Sequence, residues 1–173
     1  KEEYRDTSKK SDWLLLKYSA RPIDLSEKEG AISANKVVVN FSSSVYATFE
    51  YNKEENKYYR FQNGNKHMDR KGFQYTSKNI IVLTGIRNYT IDSKKGRQEI
   101  DNEGTGKGYF ISNGWAVPIT WEKDAEDEQT VYKYANGKEI VVNDGNTYIE
   151  IQPKGKNIEI TPGEKVQTTS TQE

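Results

Sequence analysis

Cysteine is absent from the 173-residue chain, which removes disulfides, a thiol nucleophile and cysteine-ligated zinc together. Histidine occurs once, at His67, and no recognisable ligand spacing surrounds it. No run approaches the roughly 20 apolar residues that a membrane-crossing helix needs, and no targeting segment is read at the start. Net charge is also missing: 26 basic residues balance 26 acidic ones. That argues against a general nucleic-acid binder, whose phosphate contacts call for a basic excess. Aliphatic residues are scarce, since only 33% of the chain is apolar. Twelve tyrosines and three tryptophans offset this deficit, because their rings bury large areas while keeping a polar edge.

The length suits one substantial core with loose ends. The opening KEEYRDTSKK, without an initiating methionine, reads as the start of a fragment or a processed form. Residues 1–35 are expected to be a loose N-terminal segment, the tail of an upstream domain followed by a linker. Within it, Trp13 to Leu16 is too short to assign as helix or strand, and DLSEKEG could form one helical turn. From Lys36 the period becomes two. Val45, Ala47, Phe49 and Tyr51 alternate with Tyr46, Thr48 and Glu50, as in a strand with one face on a core. Lys57 to Gln62 follows as its hairpin partner, and NIIVLT (79–84) reads as a central strand. Further strands are expected at 98–101, 107–111 and 115–121. In the last, Trp115, Val117, Ile119 and Trp121 share a face, while Pro118 predicts an edge or bulged strand. Asn136-Gly137 and Asp144-Gly145 predict tight hairpins joining three C-terminal strands in a meander.

These elements predict an all-β domain over 36–161, a sandwich or partly open barrel of about nine or ten short, mostly antiparallel strands. Residues 162–173 read as a flexible tail.

His67 and Asp69 are the first candidates for chemistry. At positions i and i+2 of a strand they would share a face, and Asp69 could orient His67 as a general base. No nucleophile accompanies them, because Ser42 to Ser44 have ordinary turn composition. Arg60, a rigid fork of donors, is expected to pair with Asp69 or Asp101, or to meet an anionic ligand. Gly104, Gly106 and Gly108 resemble a phosphate loop only superficially, since a strand and not a helix follows them. Tight turning or bulging before that strand is the simpler expectation. The acidic run EKDAEDE (122–128) lacks the patterned calcium loop and reads as a solvated hairpin tip. Tyr58 and Tyr59 must face opposite ways in a strand, as must Tyr132 and Lys133. Some tyrosines are therefore expected at the surface, where they could stack on sugar rings or dock a partner.

Taken in order, YNKEENKYYRFQNGNKHMDRKG, NIIVLT, GRQEIDNEGTGKGYFISNG, VPITWEK and YKYANGKEIVVNDGNTYIEIQP resemble the C-terminal domain of YerB-like lipoproteins of Gram-positive bacteria, a family of unknown function. The resemblance spans about Lys36 to Ile160. It rests on Tyr59, Arg60, Gly64, His67, Asp69, Asn79, Gly104, Gly106, Gly108, Gly137, Glu139, Gly145 and the strand Asn146 to Ile149. It implies export and a lipid anchor, outside this chain, on the outer side of the cytoplasmic membrane.

The leading expectation is an extracellular module that binds a cell-wall polymer or an envelope protein, with no cofactor, no metal and no assigned catalytic residue. Its candidate ligand-binding or structural polar cluster is Arg60, His67, Asp69, Asp101, Gly104 and Gly106. One alternative is an envelope hydrolase or metal-assisted enzyme using His67, Asp69 and Asp101; another is a structural spacer.

Overall fold

The computed structural model describes residues 16–126 and 128–163. Trp13 to Leu15, the opening stretch and residues 164–173 of the expected tail lie outside the described residues. Among those described there are fifteen strands and no helix. They are β1 (Lys17–Ser19), β2 (Ile32–Ser33), β3 (Lys36–Asn40), β4 (Tyr46–Asn52), β5 (Lys57–Gln62), β6 (Asn65–Lys66), β7 (Thr76–Ser77) and β8 (Asn79–Asp92). After these come β9 (Arg97–Asp101), β10 (Gly104–Ser112), β11 (Trp115–Lys123), β12 (Val131–Tyr134), β13 (Val141–Asn143), β14 (Thr147–Pro153) and β15 (Ile158–Thr161). DLSEKEG forms a turn closed by the Lys28 N–H and the Leu25 carbonyl, 3.1 Å apart.

Two large sheets face each other. One runs β12-β11-β10-β8-β14, with β2 and β9 attached at its margins; the other runs β15-β3-β4-β5-β6, with β7 beside β5. Neither closes on itself, so the all-β fold is open and not a closed barrel. Val37, Val39, Ala47, Phe49 and Tyr58 from the second sheet pack on Ile80, Val82, Ile111 and Ala116 of the first. Ile81, Leu83, Phe110, Val117, Ile119 and Trp121 point the other way, into a second core that includes Leu16, Leu25, Ile140 and Val142. Strand β8 is thus buried on both faces at Ile80 to Leu83, which is why NIIVLT reads as an unbroken apolar run and not as an alternation. Residues 16–35 supply part of that second cover. Within them β2 pairs antiparallel with β11 of the first sheet, while β1 runs parallel to β13 in a separate two-stranded sheet.

Several local expectations change. Val45 lies before β4 and is 41% exposed. Strand β11 is not bulged, since it pairs continuously with β10, and it is not an edge, since β12 and β2 lie on its other side. Pro118 falls in the interval between the short stretches that pair with β2 and β12, where no partner needs its missing N–H. Gly104 to Gly108 lie in β10 itself. A Cβ at Gly106 would come within 2.6 Å of the Trp121 ring, and one at Gly108 within 2.2 Å of the Val82 carbonyl oxygen, so close packing demands these two glycines.

The C-terminal meander is also corrected. Strand β12 begins a hairpin through a Lys133–Glu139 bridge, but β13 then pairs with β1. Strand β14 runs parallel to β8 and does not pair with β13. The two-residue hairpins occur at Asn63-Gly64 and Asn113-Gly114, where φ is positive at both positions (50° and 80°; 52° and 78°). That is the geometry such loops require.

Candidate functional site

Period-two alternation along β5 turns Tyr58 and Arg60 toward the core and Tyr59 and Phe61 outward, which separates two candidate sites on opposite faces of one sheet. Inside, Arg60 is 6% exposed and needs a buried anion. It finds one in Glu150 of β14, also 6% exposed. Nε and Nη2 of Arg60 donate to Glu150 Oε1 at 3.4 and 3.2 Å. The guanidinium lies 4.7 Å from the Tyr148 ring and 5.7 Å from that of Phe49, so aromatic faces add to the stabilisation of the cation. Arg60 Nη1 also donates to His67 Nδ1, and the His67 ring packs at a tilt of 49° against Tyr75 with ring centres 4.6 Å apart. Burial pushes the Glu150 carboxyl above its usual range, opposed by the charge and hydrogen bonds of Arg60. Burial, then the positive charge of Arg60, holds His67 below its ordinary value.

The chain around this cluster is pinned by its backbone. The His67 N–H donates to the Arg60 carbonyl at 3.1 Å, the Tyr75 N–H to that of His67 at 2.8 Å, and the Arg60 N–H to that of Tyr75 at 2.9 Å. His67 Nδ1 accepts from a permanent cation, which makes the ring a weaker base than a free imidazole, and general-base work would also call for an orienting carboxylate.

Asp69 is not that carboxylate. Its Oδ1 accepts from the backbone N–H groups of Lys71 and Phe73, both at 2.8 Å, closing the turn at residues 69–73. Asp101 lies on β9 and pairs with Arg87 at 2.7 and 3.2 Å. Gly104 and Gly106 belong to β10. Of the residues proposed as one polar cluster, the structure joins Arg60 with His67 and engages the others elsewhere. Glu150, the acid at the centre of the arrangement, escaped the sequence reading. The available signal was the inward phase of Arg60 next to fully buried Tyr58, which requires a buried acid on the facing sheet. Among the described residues no group of three or more His, Asp or Glu side chains is placed to hold a metal.

Two predictions arise here. Asp69→Ala is expected to cost about 1–2 kcal/mol by leaving two backbone donors without their acceptor, lowering the melting temperature; an unchanged melting temperature would refute the turn-closing role. His67 has a depressed folded-state value, so the unfolded chain binds more protons below the ordinary value of 6.5. Its contribution to stability is therefore present above that pH and lost as pH falls below it. A stability-versus-pH series should show this slope in the wild type and a shallower one in His67→Gln.

Outside, the same strand lines an open groove of about 740 Å³ bordered by Glu50, Asn52, Tyr59, Phe61, Lys66 and Gln74. Registry places Glu50 opposite Tyr59 and Lys66 opposite Phe61, so aromatic rings alternate with side chains of both signs. The Tyr59 hydroxyl meets the Glu55 carboxylate at 2.8 Å, which fixes its ring.

A family model described as "Protein of unknown function (DUF3048) C-terminal domain" matches residues 37–149. The crystal structure of the YerB protein from Bacillus subtilis is similar in fold, with a TM-score of 0.60 and 24% identity over 80% of this chain. The matched part is 47% of that protein's chain, so this chain spans about half its length. No curated protein matches.

Proposed function

Because the chain belongs to the family described as the C-terminal domain of a protein of unknown function (DUF3048), we propose that it is a non-catalytic module that binds a cell-wall glycan on the outer face of the second sheet. The groove beside Tyr59 and Phe61 carries this reading. Rings on a sheet face suit the apolar faces of sugars, and flanking Glu50, Asn52, Lys66 and Gln74 suit their hydroxyls. The inward cluster supports the same division of labour, since Arg60 and Glu150 hold the sheets together beneath the groove. Extracellular placement, with a lipid anchor outside this chain, is supported by the resemblance to YerB-like lipoproteins.

An amide NMR titration with peptidoglycan fragments and teichoic-acid oligomers tests the binding reading. Saturable shifts at Tyr59, Phe61, Lys66 and Gln74, lost in Phe61→Ala, are expected. Saturation elsewhere, or no shifts with either polymer, would overturn it. Protease accessibility of the full-length protein on intact cells tests the placement.

A further inference from the structure

The turn that Asp69 closes presents an unusual combination of side chains. Met68 and Gln74 bridge its base, the Asp69 N–H donates to the Phe73 carbonyl at 2.7 Å, and the Gly72 N–H to the Asp69 carbonyl at 3.1 Å. With the two bonds to the Asp69 carboxylate, four hydrogen bonds hold a five-residue tip. Yet this tip exposes apolar surface. Phe73 is 70% exposed, the highest value of any large hydrophobic residue described, and Met68 and Tyr75 are 45% and 43% exposed. Rigid exposure of a phenyl ring to water is unfavourable unless something takes it up.

The charge around the ring indicates what that is. Arg70 and Lys71 are exposed, and Asp69, the only acid of the turn, is turned inward onto the backbone. The outward-facing charge of the tip is therefore positive, on a chain that is neutral as a whole. Basic side chains in the same turn as an exposed aromatic ring match a surface with anionic headgroups above hydrocarbon.

We propose that residues 69–73 form a membrane-contact tip, in which Phe73 enters the interface of an anionic phospholipid bilayer while Arg70 and Lys71 meet headgroup phosphates. The tip is pre-formed, so contact requires no folding of the loop and loses little conformational entropy. With one ring and few cations, binding is weak and reversible. The inference is independent of glycan binding in the groove.

Cosedimentation of the whole chain with phosphatidylglycerol vesicles and with phosphatidylcholine vesicles tests it. Binding to phosphatidylglycerol that weakens with added salt is expected. Phe73→Ala should reduce partitioning on the order of tenfold, and Arg70→Gln with Lys71→Gln by at least about tenfold. Phe73 is too exposed for its replacement to disturb the core, and Phe73→Trp supplies a second readout: its difference emission against wild type should shift to the blue on phosphatidylglycerol. No binding to either vesicle, equal binding to both, retention of binding by Phe73→Ala, or unshifted emission would each overturn the proposal. The first of these would direct the tip toward a protein partner.

Discussion

Glu150→Ala is expected to destabilise the domain by about 3–5 kcal/mol, because it leaves the Arg60 guanidinium buried without its anion. The acid and the arginine sit on facing sheets, each 6% exposed, and Arg60 uses two nitrogens on a single carboxylate oxygen. Water cannot readily replace that oxygen at an inter-sheet position. The complementary change, Arg60→Met with Glu150→Leu, should recover most of the loss, since matched apolar side chains avoid desolvating either charge. It would still forfeit the contacts of the guanidinium with the Phe49 and Tyr148 rings. Urea unfolding of Glu150→Ala and of the double variant measures this directly, with midpoints shifting at constant m-value. A cost below about 1 kcal/mol for Glu150→Ala would remove the pair from its structural role.

Asn79→Ala should be comparably damaging although no charge is involved. This side chain is fully buried at the start of β8. Its Nδ2 donates to the Asn143 carbonyl at 2.8 Å and to Thr147 Oγ1 at 3.3 Å. Its Oδ1 accepts from Ser112 Oγ at 3.0 Å and from the Asn143 N–H at 3.2 Å. The Asn143 side chain extends the network, donating to Ser112 Oγ and accepting from the Ile23 N–H. Removing Asn79 orphans both backbone groups of Asn143, at about 1–3 kcal/mol each. The expected total is about 3–5 kcal/mol, and Asn79→Ala with Asn143→Ala should fall well short of additivity. Amide exchange at Ile23 and Asn143 should accelerate in the single variant. Full additivity, or unaltered exchange, would contradict a shared network.

Much of this architecture is legible in alternation. Phe49 and Ala47, Tyr58 against Tyr59, and Val117 with Ile119 and Trp121 all face as their phase predicts, because a strand has a strict period of two. What alternation does not encode is which strand comes to lie beside which. Asp144-Gly145 signals a change of direction, but the chain leaving it enters the first sheet parallel to β8, an outcome decided by long-range packing. Glu150 was hidden for a related reason. Between Ile149 and Ile151 it reads as the solvent side of an edge strand, whereas Tyr148, Glu150 and Gln152 face the second sheet. The His67–Asp69 spacing was equally ambiguous: the carboxylate is nearest in sequence to the histidine, yet backbone donors at Lys71 and Phe73 are better placed to claim it.

The parallel placement of β14 against β8 also bears on how the chain reaches this state. Strand β8 receives β10 after a short excursion, but Thr147 aligns with Asn79 and Lys17 with Val141. Such pairings close loops of tens of residues to more than a hundred before any contact offsets the lost chain entropy. A topology this rich in distant neighbours belongs among slow-folding domains, on a scale of milliseconds to seconds. The apolar stretch Ile80 to Leu83 must therefore stay in solution, uncovered on at least one face, until the C-terminal third of the chain is available to shield it.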